Sequence, residues 1–248
     1  MRAVSWGETV PESLGGATGA IGVSSISDYS LRTQSHLESL EALYSRYSDP
    51  VSQAGQNTLE VLKTLSKLDP KDYKPSGGAS YPDSRLGRAL RESAFLIKKE
   101  IGLEVACMDS TGWDSHVTQG TTDGWLWTLL KDLGDGLEAF RKDLGKEMSR
   151  VTVVVQSEFG RRVFENSGLG TDHGSGGAMF LMGGGVQAGK VMGDWPGLAP
   201  HQVVDPGDLR ITTDYRDVLA EVLEKRLGNR EVNKVFPGRA GKKLNLVI

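Results

Sequence analysis

The sequence predicts an α/β fold, a mostly parallel sheet flanked by helices. Three observations carry that expectation. A strand-helix-strand succession runs from Leu103 to Val155, helical spacing recurs between Leu31 and Ile101, and the 248 residues are 38% apolar and 25% charged, an ordinary globular composition. A chain of this length suits one large domain or two small ones, and it reads as a single domain over 1–248 with a helical segment at 31–101. The net charge of −3 is spread over 29 basic and 32 acidic residues without a block of one sign, so neither nucleic acid nor an anionic membrane is an expected partner. Cys107 is the only cysteine, which excludes an intrachain disulfide and a thiolate zinc cluster; its apolar surroundings predict a buried, inert thiol. No apolar stretch approaches the ~20 residues that span a bilayer, so no transmembrane segment is expected, and no export signal is visible in the first thirty residues.

The elements follow in order. Residues 1–30, rich in Gly and Ser, read as loop with one strand at Ala20 to Val23. Leu37, Leu40, Leu43 and Tyr44, then Leu59, Leu62 and Leu65, recur at three and four, which predicts two helices broken near Asp49-Pro50. A proline-rich connector over Asp69 to Asp83 precedes a third helix, Ser84 to Ile101, with Leu86, Leu90, Ala94 and Ile97 on one face. Leu103 to Met108 reads as a strand, Gly124 to Leu144 as a helix and Val151 to Val155 as a buried β-branched strand; together they predict a right-handed βαβ unit in a parallel sheet. Ala178 to Met182 is a further strand, Val186 to Met192 a turn leading to a short strand, and Thr213 to Leu227 a helix capped by Thr212 or Thr213.

Chemistry in such sheets gathers in loops beyond the carboxyl ends of strands. That selects Asp109 to His116, Gln156 to Arg162 and Gly170 to Gly174. Asp114 and His116 stand in the first of these loops, Glu158 and Arg161 in the second, Asp172 and His173 in the third. Aspartate and imidazole together suit a divalent ion such as zinc, manganese or magnesium. On spacing alone Asp114 and His116 are equally a turn with a capping aspartate, and Asp172-His173 an exposed loop. His36 reads as a surface residue, and His201 stays open. Gly184 to Lys190 mimics a phosphate-binding loop, but Val191 stands where Ser or Thr is needed for magnesium, so it reads as a glycine turn. No Gly-x-Ser-x-Gly elbow follows a strand, which leaves serine-triad chemistry without an anchor.

At Gly112-Trp-Asp-Ser-His116, Ser157-Glu-Phe-Gly-Arg161, Thr171-Asp-His-Gly174, Leu181 to Val186 and Asp208 to Asp217 the chain resembles the family catalogued as domain of unknown function 1501. That family is grouped with alkaline phosphatases, sulfatases and cofactor-independent phosphoglycerate mutases. The resemblance implies an alkaline-phosphatase-like fold and a metal site with Asp114, His116, Asp172 and His173 as candidate ligands. Glu158 and Arg161 are then candidate catalytic residues, with Phe159 where an imidazole would stand. It also implies that the superfamily's first strand and nucleophile precede this chain, unless Ser24 or Ser25 substitutes, so an N-terminally truncated domain is expected. Relatives carry a twin-arginine signal, which implies export to the periplasm for a full-length parent. The expected function is a metal-dependent hydrolase of small anionic phosphate or sulfate esters; the alternative is a noncatalytic binding or assembly protein that retains a degenerate metal site.

Overall fold

In the computed structural model, which describes residues 2–7, 9–17, 19–28 and 34–248, the chain divides into two compact units. The first comprises Met1–Thr111 and Leu130–Gly145, the second Gly112–Leu129 and Lys146–Ile248. The start of the first predicted helix, residues 31–33, lies outside the described residues.

The first unit is built on a three-stranded parallel sheet in which Ala3–Trp6 (β1) lies between Ala20–Val23 (β2) and Val105–Met108 (β3). The strand at β1 corrects the expectation of loop there. All four of its side chains are buried, Ser5 included. A central parallel strand is covered on both faces, so it shows no alternation, and four residues containing a serine are too few to read as an apolar run. The Trp6 indole donates to Ser93 Oγ at 2.6 Å, which satisfies its N–H inside the core.

Helices Gln34–Tyr44 (α1), Pro50–Ser66 (α2) and Arg85–Lys98 (α3) follow the predicted spacing. Asp49 accepts from the Val51 and Ser52 amides ahead of Pro50 at the first helical position, so the predicted break is a capped helix start. Ser84 caps α3 through the Gly87 amide. Phe95 and Leu96 of α3 pack with Val61 and Leu65 of α2 against Val4, Trp6, Ile21 and Val23 of the sheet. Just beyond β2, the buried Ser25 donates its hydroxyl to Glu92 at 2.7 Å, and Glu92 also accepts the Ile26 amide. This early serine is therefore committed inside the core. Cys107 is half-buried and free, and burial pushes its thiol upward, away from the reactive thiolate.

Helix α4, Trp125–Leu144, carries Asp143 in its last turn, and the carboxylate there is fully buried. One oxygen accepts from Lys98 Nζ (2.5 Å) and the Ser76 amide (2.7 Å), the other from the hydroxyls of Tyr73 (2.7 Å) and Tyr81 (2.8 Å). Burial works to raise this carboxyl, but those four donors outweigh it and hold it below its ordinary value.

In the second unit Thr152–Val155 (β4) pairs antiparallel with Phe180–Gly183 (β7), and Gly160–Arg161 (β5) with His173–Gly174 (β6). The expected βαβ pairing of β3 with β4 does not form: β3 pairs with β1, and β4 with β7. A run of valines marks a half-buried strand but does not encode its direction. Val186 makes only a single bridge to Val247 in place of a strand at 186–192, and Val191 is fully exposed. No helix starts directly after Lys190, in keeping with a glycine turn. Tyr215–Leu227 (α5) is capped by Asp214, which accepts the Arg216 amide, rather than by either threonine, and ends at Gly228 in the left-handed region. Val232–Val235 (α6) completes the unit. Among the described residues no helix is long and apolar enough to cross a membrane.

Candidate metal centre

Two short ladders assemble the site within the second unit. Thr118 and Gln119 donate their amides to the Gly168 and Leu169 carbonyls, and Thr171 donates back to Ser115, which zips segment 115–119 onto 168–171. The β5–β6 pair then sets Arg161 opposite His173. Gly170 makes the first ladder possible: a Cβ there would lie 2.3 Å from the Ser115 carbonyl oxygen and 2.4 Å from the His116 carbonyl carbon. Gly170→Ala should therefore cost about 1–3 kcal/mol, as overpacking does, and displace His116. Urea unfolding checks the first effect and metal titration the second.

The ladders bring Asp114, His116 and His173 together, with one ligand atom from each within 4.8 Å of the others. Asp114 Oδ1 faces His173 Nε2 at 3.1 Å and His116 Nε2 at 3.2 Å. Two ligands of a tetrahedral zinc, each about 2.0–2.1 Å from it, stand roughly 3.3 Å apart, so these separations suit a shared ion. The second ring nitrogen of His116, Nδ1, lies 3.2 Å from Asp172 Oδ1. A neutral imidazole has one N–H and one lone pair. With Nδ1–H directed at Asp172, Nε2 sets its lone pair against the Asp114 carboxylate, an arrangement that a cation between them relieves. Asp172 thus stands behind the histidine, where it fixes the tautomer and orientation of a metal-binding imidazole.

The surroundings are polar and open. The Asp114 and His173 side chains are 67% and 52% exposed, and that of His116 is 40% exposed. Arg161 donates to the carbonyls of Thr171 (2.7 Å) and Trp113 (3.2 Å) and to Asp114 Oδ1 (2.5 Å). The Arg161 hydrogen bond, then that from His173, holds the Asp114 carboxyl below its usual range; Asn166 first and His116 second do the same for Asp172. Arg162 lies between Asp172 (3.5 Å) and Asp208 (3.6 Å). The His173 ring packs at a tilt against those of His116 and Phe159, with centroids 4.6 and 4.3 Å away.

Three of the six residues singled out in the sequence form the ligand cluster, and Asp172 and Arg161 buttress it. Glu158, on the turn after β4, is exposed and makes no hydrogen bond or ion pair among the described residues. The profile of a family described as protein of unknown function (DUF1501) matches residues 95–235, more than half of the chain. The chain belongs to the DUF1501 family. No curated protein and no solved structure matches it. The candidate ligands of this DUF1501 chain, from Asp114 to His173, all lie within the matched region. One member escaped the sequence reading. Asn166 touches both His116 and Asp172, and its only signal was an asparagine followed by glycines at 168 and 170.

Proposed function

We propose that this DUF1501 protein is a metal-dependent hydrolase of phosphate or sulfate esters, with one divalent ion held by Asp114, His116 and His173. The observation that carries the reading is Asp114 Oδ1 set against Nε2 of both histidines on a face open to solvent. Two imidazoles and one carboxylate favour zinc over magnesium. An ion so held would polarise an ester oxygen and make a water acidic enough to attack near neutral pH. Arg161, anchored on two backbone carbonyls, orients the Asp114 oxygen and keeps a positive charge beside an incoming anion. Phe159 and His116 both pack against the His173 ring and restrain it. Glu158, next to Phe159 and exposed, is the candidate acid or base. The wider reading, an alkaline-phosphatase-like fold, rests on the small parallel sheet with its helices and on the family's grouping.

The alternative, a noncatalytic binding or assembly protein, draws on a specific observation. Arg161 donates to the same oxygen that would ligate the ion, so the cluster is already partly neutralised. Turnover separates the two. Aryl phosphate mono- and diesters and an aryl sulfate, assayed with zinc, manganese or magnesium, should be hydrolysed only with metal present. Asp114→Asn should lower the rate by at least about 100-fold, the scale of removing a group placed on the reacting centre. Stoichiometric metal without turnover of any of these esters would leave the noncatalytic reading standing.

A further inference from the structure

Asn166 uses all four of its hydrogen-bonding positions. Nδ2 donates to the His116 carbonyl (3.0 Å) and to Asp172 Oδ1 (2.8 Å), while Oδ1 accepts the amides of Gly168 (2.8 Å) and Gly170 (3.1 Å). The opposite placement of the amide would set oxygen against two acceptors and nitrogen against two donors, so the orientation is fixed by chemistry. Its own backbone closes the same turn, with the Asn166 amide donating to the Gly170 carbonyl at 2.9 Å. One side chain therefore grips the backbone of His116, the carboxylate behind the His116 ring and the glycine turn that lets the two loops meet.

We propose that Asn166 is the positioning residue of the metal centre, presenting Asp172 to His116 Nδ1 so that Nε2 keeps its lone pair for the ion. This rests on the metal-site reading above. The ring of His116 has two freedoms that would spoil ligation, rotation about its side-chain bonds and migration of the proton to Nε2. Asp172 restrains both, but it is itself 41% exposed and would be free to swing toward solvent or to Arg162. The Asn166 carboxamide, held by two backbone amides, removes that freedom. Partners behind a ligating histidine are worth about 10–100-fold in metal affinity, and here the effect passes through two side chains in series.

The test uses Co2+ as the probe, titrated into the whole protein and followed by its visible absorption and by the shifted, exchangeable imidazole N–H resonance of the loaded protein. Asn166→Ala should weaken Co2+ binding about 10–100-fold and speed exchange of the His116 N–H. Asn166→Asp keeps the acceptor for Gly168 and Gly170 but sets a carboxylate against Asp172, so it should weaken binding at least as much. A role confined to the turn predicts instead that Asn166→Asp, which keeps the acceptor of the Gly168 and Gly170 amides, binds Co2+ as the unaltered protein does. Should Asn166→Ala fail to fold, the Asp variant decides. The proposal is overturned if either folded variant binds Co2+ within twofold of the unaltered protein. Failure of the unaltered protein itself to bind Co2+ would instead overturn the metal-site reading on which the proposal rests.

Discussion

His116→Ala and His173→Ala should each abolish stoichiometric zinc binding, weakening it by more than the roughly 10–100-fold that loss of a supporting partner costs. Each change leaves two protein ligands on an exposed surface, and the remaining carboxylate is already engaged by Arg161. Asp172→Asn, which alters only the group behind His116, should fall in that intermediate range. The two remaining histidines supply the control. His36 and His201 are exposed and stand outside the cluster, so alanine at either should leave zinc content unchanged. Isothermal titration of the four alanine variants against the parent protein orders these expectations.

The largest effect on stability is expected at Asp143. Alanine there strips four donors of their common acceptor and leaves Lys98 Nζ, with a side chain only 22% exposed, without its carboxylate. Removing one partner of such a pair costs about 3–5 kcal/mol, a large part of the 5–15 kcal/mol that stabilises a domain of ordinary size. The urea midpoint should fall accordingly. The pH dependence has a definite sign. The folded Asp143 carboxyl lies below its ordinary value, so its stabilisation is fully present above the unfolded value of about 3.9 and fades as pH falls through the lower folded value. The stability gap between the parent protein and Asp143→Asn should therefore narrow below pH 4 and stay constant between pH 5 and 7.

Much of the helical part of the fold was legible because helices announce themselves by spacing. Leu59, Leu62 and Leu65 mark the face of α2, and Asp49-Pro50 marks its start through cap chemistry that is local in sequence. Strands were legible where β-branched residues cluster, as at β4, but their partners were not. Whether Val153 faces Met182 antiparallel or a strand of the first unit in parallel is decided by tertiary packing, which leaves no trace in a run of valines. The centre of the parallel sheet was missed because β1 is short, terminal and buried on both faces.

The site divides in the same way. Asp114, His116 and His173 stood out by residue type, since few roles bring carboxylates and imidazoles into neighbouring loops. The expected reason for their convergence, a shared edge of parallel strands, is not what assembles them. The ladder between Val117 and Leu169 and the pairing of Arg161 with His173 do so, through loops whose polar residues carry no periodicity. Gly170 was visible only as one glycine among 32, and its meaning depends on the carbonyl of Ser115 that it approaches. Arg161 stood out as a candidate catalytic residue; that it donates to two backbone carbonyls and to Asp114 is a commitment that spacing could not reveal.

X-ray absorption at the zinc edge, on protein loaded with one equivalent of the ion, bears most directly on whether Asp114, His116 and His173 hold a metal. Their arrangement predicts nitrogen and oxygen neighbours at about 2.0–2.1 Å, with the outer-shell scattering of two imidazoles, reduced to one in His116→Ala and in His173→Ala. A spectrum without imidazole scattering, or one unchanged in both variants, would contradict it.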